Sequence, residues 1–530
     1  MRKLLSTLLI YVFVVPLLHA QNVDVLHYRF AINLNDQNDS IYGIAQIKLV
    51  TKASGPLLLD LYQNDATGKG MLVTQVEKES GTGNYPFSQK QNQLILPLIK
   101  GKASDTLSFR IFYKGIPADG LVISKNKFGE RTFFADNWPK RAHNWLPCND
   151  RPDDKASFEF FVTAPAHYTV VANGVKKAEK ATANNTTLTH WAEDTPLPTK
   201  VMAIGVARFA VKTFTDSHAD IPVSAWVYPK DSIKGFYDYA LAPSILKFFS
   251  NYIAPFPYKK LANVQSTTIF GGMENASCIF YAENSVTGDR SSEELIAHEV
   301  AHQWFGNMAS EKSFAHLWLS EGFASYLTHC YKEAKYGREA MIRQLKKDRN
   351  EVIRFAKMTS SPVVDSTENL MSLLNANSYQ KGSWILHMLR TEVGDTAFQK
   401  IIRTYYNQYK GSNAETSDFQ AVAEGVSGKD LKWFFDQWLY RPGIPKLSVL
   451  KVKEGNQVKL KIVQSGDVYR MPLTLRIAGD GGRIVRERLL LTGRETESAW
   501  RGKASSVVQV SLDPDCTLLF EEIPATRHSK

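Results

Sequence analysis

In the stretch 291–307, SSEELIAHEVAHQWFGN, two histidines stand four residues apart, with a glutamate directly after the first. On an α-helix this spacing puts His298 and His302 one turn apart on one face, where each can give an imidazole nitrogen to a single metal ion. Glu299 is displaced around the same helix, which suits it to a water beside the metal rather than to the metal itself. Ser291 and Glu294 have the spacing of a capping box, which predicts that the helix opens there, and Gly306 is placed to end it. Downstream, a helix-like stretch over 317–331 carries Glu321 in LWLSEGFASY, flanked by Trp318, Leu319 and Phe323. A carboxylate buried among such neighbours without a partner is costly, and ligation resolves that cost. His298, His302 and Glu321 then make a two-nitrogen, one-oxygen set with a fourth position open for water, as catalytic zinc requires. One zinc ion held there lowers the pKa of such a water toward about 7 and polarises a carbonyl, which is the chemistry of hydrolysis at neutral pH.

The segments around this site differ in texture. From about Val23 to Phe209 the pattern is that of strands: Tyr28, Phe30, Ile32 and Leu34 alternate at period two, as do Ala45, Ile47 and Leu49. Asn173-Gly174 and Asn184-Asn185 read as turns in this region. After about Asp220 comes one more strand-like run. Residues 235–252 then have apolar positions at helical spacing, a proline-rich turn follows at 255–258, and helical signals dominate to about Tyr440. Strands return from Lys446, with Val458, Leu460, Ile462, Leu473, Leu475, Val510 and Leu512 as inward candidates and GDGG at 479–482 as a turn. The order is β, then helical, then a small β unit.

At 530 residues, 44% of them hydrophobic and 22% charged, the chain has the balance of a multidomain globular protein. The formal charge is +11, but lysines and arginines are interleaved with acids and form no long basic run. A solvated surface is therefore expected, with no nucleic-acid partner. Arg2 and Lys3, an apolar run to Leu18 and the small Ala20 before Gln21 read as a signal peptide over residues 1–20, with an uncleaved anchor as the rival reading. The run is short for a spanning helix and no later segment is apolar for long enough, so an exported protein, periplasmic or secreted, without stable membrane insertion is expected. Cys148, Cys278, Cys330 and Cys516 are far apart without metal-type spacing, and buried free thiols are expected.

HEVAHQWFGN, followed by LWLSEGFASY with eighteen residues between His302 and Glu321, resembles the gluzincin zinc aminopeptidases, the aminopeptidase N and leukotriene hydrolase type. GGMEN at 271–275 resembles the second signature of that family, and Tyr379 in SYQKGSW the tyrosine of its third. The resemblance runs from the β-rich start to GIPKL at 443–447. It implies a multidomain α+β fold: an N-terminal β-sheet (saddle or sandwich) domain over 21–215, a mainly helical thermolysin-like catalytic domain over 216–445, and a small C-terminal β-sandwich over 446–530. It implies that Glu274 binds the α-ammonium group of a peptide substrate, so that the enzyme requires a free amino end. Gly271 and Gly272 lack side chains, which lets their backbone approach a peptide as an added strand would. Met273 either lines the first specificity pocket or packs in the core. Glu299 would be the general base that activates zinc-bound water, and Tyr379 would donate to the oxyanion.

The sequence departs from the family at two places. Many members carry an amine-binding glutamine ahead of P-C-x-D; here ADNWPKRAHNWLPCND puts Asp136 at about that position, with the amide Asn137 offset by one, and both are candidates for the amine. Ser320 stands where asparagine is common, which should leave ligation intact. The chain ends soon after its second β unit, so the large helical C-terminal domain of longer members is expected to be missing and the cleft more open. A thermolysin-like endopeptidase would share the three ligands and Glu299 but has no use for Glu274. A non-catalytic peptide-binding scaffold would usually have lost a ligand or the catalytic acid.

Overall fold

The computed structural model describes residues 23–525 except 54, 80–82, 98–104, 216–219, 479–483 and 504–508. The expected signal peptide and the GDGG turn lie outside the described residues. In the first two hundred residues the period-two pattern becomes a seven-stranded sheet, in the order Val175–Thr182, Thr186–Leu197, Ala156–Pro165, Val23–Asn33, Ile41–Thr51, Thr106–Ile116, Gly70–Lys78. Tyr28 and Phe30 face Ile47 and Ala45 across an antiparallel pair, and all four are buried. Asn184 and Asn185 both take positive φ, 59° and 54°, in the tight turn between the first two of these strands, as their residue type allows. A four-stranded sheet over Thr169–Ala172, Ile204–Ala207, Arg131–Ala135 and Leu121–Lys125 packs beside it, with a small three-stranded sheet over Leu57–Asp60, Gln93–Leu96 and Ser88–Lys90.

The next sheet has five strands in the order Ala210–Phe214, Val223–Val227, Leu261–Ser266, Cys278–Ala282, Gly272–Met273. Ala210–Phe214 pairs with Val223–Val227, so the boundary expected at 215–216 falls inside this sheet. The strands 261–266 and 278–282 are a correction to the helical reading of that region. Nearly every residue in them is buried, so they lack the alternation that marks a half-exposed strand. Val223, Ala225, Val227, Ile279 and Tyr281 face a core shared with the helices, while Ala262, Val264, Cys278 and Phe280 face the core of the N-terminal sheets. The sheet is thus the wall between the two units, and Gly272–Met273 is its edge.

Nine helices follow among the described residues: α1 (Ser232–Tyr239), α2 (Ala242–Tyr252), α3 (Glu293–Ala301), α4 (Trp318–Tyr336), α5 (Arg338–Ala356), α6 (Gly382–Val393), α7 (Asp395–Tyr409), α8 (Thr416–Ser427) and α9 (Lys432–Leu439). The single helical stretch expected over 235–252 is divided into α1 and α2, and Pro243 occupies the first turn of α2, where its missing N–H does no harm. The last unit folds into two sheets, one over Glu495–Lys503, Gln457–Ser465, Lys446–Glu454 and Glu521–Glu522, the other over Ile484–Leu491, Met471–Ala478 and Gln509–Leu512. Leu447, Leu460 and Ile462 of the first share a core with Leu473, Leu475 and Ile477 of the second. The whole is multidomain α+β. All four cysteines are free and buried, and among the described residues no helix is long and apolar enough to cross a membrane.

Candidate metal centre and substrate cleft

The expected capping box does not form. The Ser292 hydroxyl donates to the carbonyl of Ser285 (2.6 Å), the Ser291 N–H donates to Asp289 (2.9 Å), and Glu294 pairs with Lys332 of α4 (2.7 Å). The start of α3 is therefore held by its neighbours rather than by its own side chains. At its other end the His302 N–H still donates to the His298 carbonyl (3.2 Å), so helical twist carries the second histidine onto the face of the first. Gly306 turns the chain at φ 114° directly under His302: a Cβ there would lie 2.9 Å from His302 Nδ1 and 2.3 Å from the Ser320 hydroxyl oxygen.

His298 Nε2 and His302 Nε2 are 3.0 Å apart, and each is 3.2 Å from Glu321 Oε2. Four-coordinate zinc with ligands at about 2.0–2.1 Å requires ligand atoms separated by about 3.3 Å, so the triangle fits the ion. The hydrogen bonding points the same way. His302 Nδ1 lies 3.1 Å from the Phe305 carbonyl, which can only accept, so Nδ1 carries the proton and Nε2 turns a lone pair toward a carboxylate oxygen. That arrangement calls for a positive charge between the three groups. Consistent with this, burial opposes charge on His302, yet Glu321, Glu274 and Glu299 pull its pKa up to about 10. The Ser320 hydroxyl, 3.2 Å from His302 Nδ1, supports the ring from the side opposite its ligand nitrogen. The residues fit one zinc ion.

The three ligands open onto a cleft of about 240 Å³, which also takes in Gly271, Gly272, Met273, Glu274, Glu299 and Tyr379. Gly272 lies flat against Glu299: a Cβ on it would come within 2.3 Å of Glu299 Oε1. Only glycine leaves the carboxylate its place. Met273 is buried, lining the cleft and packing in the core at once. The backbone of Glu274 is fixed by Gln303 (2.9 Å) and Asn307 (2.7 Å), which both donate to its carbonyl, while its Oε1 is buried without a hydrogen-bond partner. Burial raises the carboxyl pKa of both Glu274 and Glu299; His302 works against the rise and the neighbouring carboxylates add to it.

Tyr379 sits in a π-helical turn, Asn377–Lys381, that leads into α6, and its ring stacks on that of His298 with centroids 6.0 Å apart. Such turns insert one residue into a helix and re-aim a side chain. The turn meets α4 at a glycine-on-glycine contact. A Cβ on Gly322 would lie 2.9 Å from the Gly382 Cα and 3.2 Å from the Ser378 carbonyl oxygen. Glu321 and Tyr379 are therefore held together by two backbones that touch. Gly322→Ala is expected to push them apart and lower kcat/KM about 10²-fold, the effect of a displacement near 1 Å. Steady-state kinetics at matched zinc content checks this, and a variant with native kinetics would remove the contact from the positioning of the site.

Asp136 and Asn137 are fully buried and neither lines the cleft. Asp136 accepts from Arg141 (2.6 Å) through one oxygen and from the Thr268 hydroxyl (2.9 Å) and Ile269 N–H (3.2 Å) through the other, so it latches the chain leading into Gly271 to the N-terminal unit. Asn137 donates to the carbonyls of Met202 and Thr199 and accepts from Trp145. Both amine candidates are thus committed inside the protein, because the tight packing of this segment turns them inward. Trp138, beside them, does line the cleft, together with Phe270, Leu295 and Leu374. None of these four carried a sequence signal beyond being apolar.

A helix pair that brings two histidines and a glutamate within reach of a shared metal, beside an edge strand followed by a further acid, defines a gluzincin-type metal site. The Peptidase M1 N-terminal domain matches residues 25–201 and the Peptidase family M1 domain residues 237–438. The chain belongs to peptidase family M1. Probable aminopeptidase 2 of Sulfurisphaera tokodaii is 28% identical over 476 residues, covering 85% of this chain and 58% of the relative. Human glutamyl aminopeptidase is 29% identical over 342 residues, covering 61% of this chain and 35% of the relative. The chain thus spans well under two thirds of these curated relatives. The fold matches the crystal structure of a mutant M1 zinc metallopeptidase from Deinococcus radiodurans with a TM-score of 0.68 at 20% identity, covering 80% of this chain and 96% of that one.

Proposed function

We propose that this chain is a zinc aminopeptidase that removes the first residue from peptides with a free amino end. The observation that carries the reading is the buried, unpartnered oxygen of Glu274 in the same cleft as the three ligands and Glu299. A fixed carboxylate left without a cation is costly, and a substrate ammonium removes that cost while placing the first peptide bond beside Glu299. Zinc, held by His298, His302 and Glu321, supplies Lewis-acid polarisation of the scissile carbonyl and lowers the pKa of water. Glu299 takes a proton from the attacking water as its oxygen bonds to the carbonyl carbon, then delivers it to the leaving nitrogen as the C–N bond breaks. Tyr379 donates a hydrogen bond to the oxygen that gains charge. The edge strand Gly272–Met273 offers backbone groups to an extended peptide.

The human relative is named for glutamyl substrates, but no lysine or arginine lines this cleft, and three carboxylates and several apolar side chains do. The reading therefore includes uncharged, apolar first residues. The charged, apolar, then small-residue order of residues 1–20 supports export as the setting. The test compares one peptide with its N-acetylated form. The free peptide is expected to be cleaved at least 10²-fold faster, since breaking a buried ion pair costs about 3 kcal/mol or more. Glu274→Gln should lose most of that discrimination. Equal cleavage of blocked and free peptides would establish an endopeptidase instead.

A further inference from the structure

A π-helical turn is rare because its bonding is less favourable than the α-helical ladder it interrupts, so the turn that carries Tyr379 needs support. The Lys381 N–H closes it by donating to the Ala376 carbonyl (2.8 Å). The side chain of Lys381 does something further. Its ammonium is buried and makes no ion pair among the described residues; it donates instead to the carbonyls of Gly443 (2.9 Å) and Arg441 (3.4 Å). Burial alone pushes its pKa down to about 7. A buried cation without an acid beside it is costly, and these two carbonyls offset that cost only while their own segment stays fixed.

That segment, 441–443, lies between α9 and the first strand of the C-terminal unit. It is fixed by the connection between the strands Gln457–Ser465 and Met471–Ala478. The Arg441 guanidinium donates to the Val468 carbonyl (2.9 Å) and lies over the Tyr469 ring, whose hydroxyl donates to the Pro442 carbonyl (3.3 Å). We infer that Lys381 is a positioning residue for the proposed hydrolysis, and that through it the C-terminal β unit sets the place of the Tyr379 hydroxyl. Lys381 does not line the cleft, and among the described residues neither does any residue of the C-terminal unit. Both act through Tyr379, two residues from Lys381 in one turn. The opposite end of the turn is anchored in the same manner, by the Asn377 amide donating to the carbonyls of Ser361 (3.0 Å) and Pro362 (3.2 Å).

The inference rests on the part given to Tyr379 in the proposed reaction, and a double-mutant cycle on the full chain separates the two. Lys381→Met keeps a long side chain and removes its cation. With the tripeptide Leu-Gly-Gly as substrate, it is expected to lower kcat about tenfold, less than the 10²-fold of a full 1 Å displacement, with KM and bound zinc unchanged. In the Tyr379→Phe background no hydroxyl is left to misplace, and the same change should lower kcat by less than about twofold. Arg441→Met, at a partly exposed position, repeats the cycle from the C-terminal side with an expected loss of about threefold, the scale of one hydrogen bond. It decides the question if Lys381→Met does not fold. Native kcat in the single variants, or an equal loss with and without the Tyr379 hydroxyl, overturns the inference and leaves the aminopeptidase reading in place. Native kcat in Tyr379→Phe itself overturns the part given to Tyr379, and the inference with it.

Discussion

Glu299→Gln is expected to lower kcat by about 10³-fold, within the range that general acid–base catalysis contributes, with zinc content unchanged. The side chain is buried and is not one of the three groups that converge on the ion, so a neutral amide of the same size disturbs neither fold nor ligation. What is lost is the site that takes the water proton and returns it to the leaving nitrogen. A companion change isolates position from chemistry. Gly272→Ala keeps the carboxylate but drives a Cβ to within 2.3 Å of Glu299 Oε1 unless the glutamate moves. Its expected loss is about 10²-fold, since a catalytic group displaced by about 1 Å forfeits much of its effective concentration. Turnover by single-turnover kinetics, beside zinc measured by atomic emission, gives the answer. Native turnover in a zinc-loaded Glu299→Gln variant would end the general-base assignment.

The second large effect is expected at the metal. Glu321→Ala removes the one ligand that brings negative charge, leaving two imidazoles for the ion. Zinc affinity should fall by more than the 10–100-fold that the loss of a supporting outer partner costs. Activity should fall with it and return only at high added zinc. Ser320→Ala provides the scale: it removes an outer partner of His302, but the ring keeps its bond to the Phe305 carbonyl, so about tenfold or less is expected. Competition with a chelating dye orders the two variants. If Glu321→Ala held zinc as tightly as Ser320→Ala, Glu321 would not be a ligand.

Much of this was legible because it is local. Two histidines four apart converge through helical geometry alone, and the cost of burying Glu321 among Trp318, Leu319 and Phe323 follows from its neighbours in the chain. The helical reading of 255–440 missed the strands 261–266 and 278–282, since a strand covered on both faces shows no alternation. Asp136 illustrates the opposite failure. Counting from Pro147 put it where an amine ligand belongs, but Arg141, Thr268 and Ile269 claim both of its oxygens.

The amino-acid sequence by itself determined the α+β order of the chain and the meeting of His298 and His302 on one helix face with Glu299 beside them, because helical and strand periods act over a few residues. Tertiary structure alone decided that Gly272 presses on Glu299, that Gly322 and Gly382 bring Tyr379 to Glu321, and that Trp138 rather than Asp136 or Asn137 faces the cleft. Those outcomes depend on which groups touch across 27 residues of chain (Gly272 to Glu299) or 60 (Gly322 to Gly382), or turn inward under packing. No local pattern encodes that, because the contact is made only when separate elements close on one core.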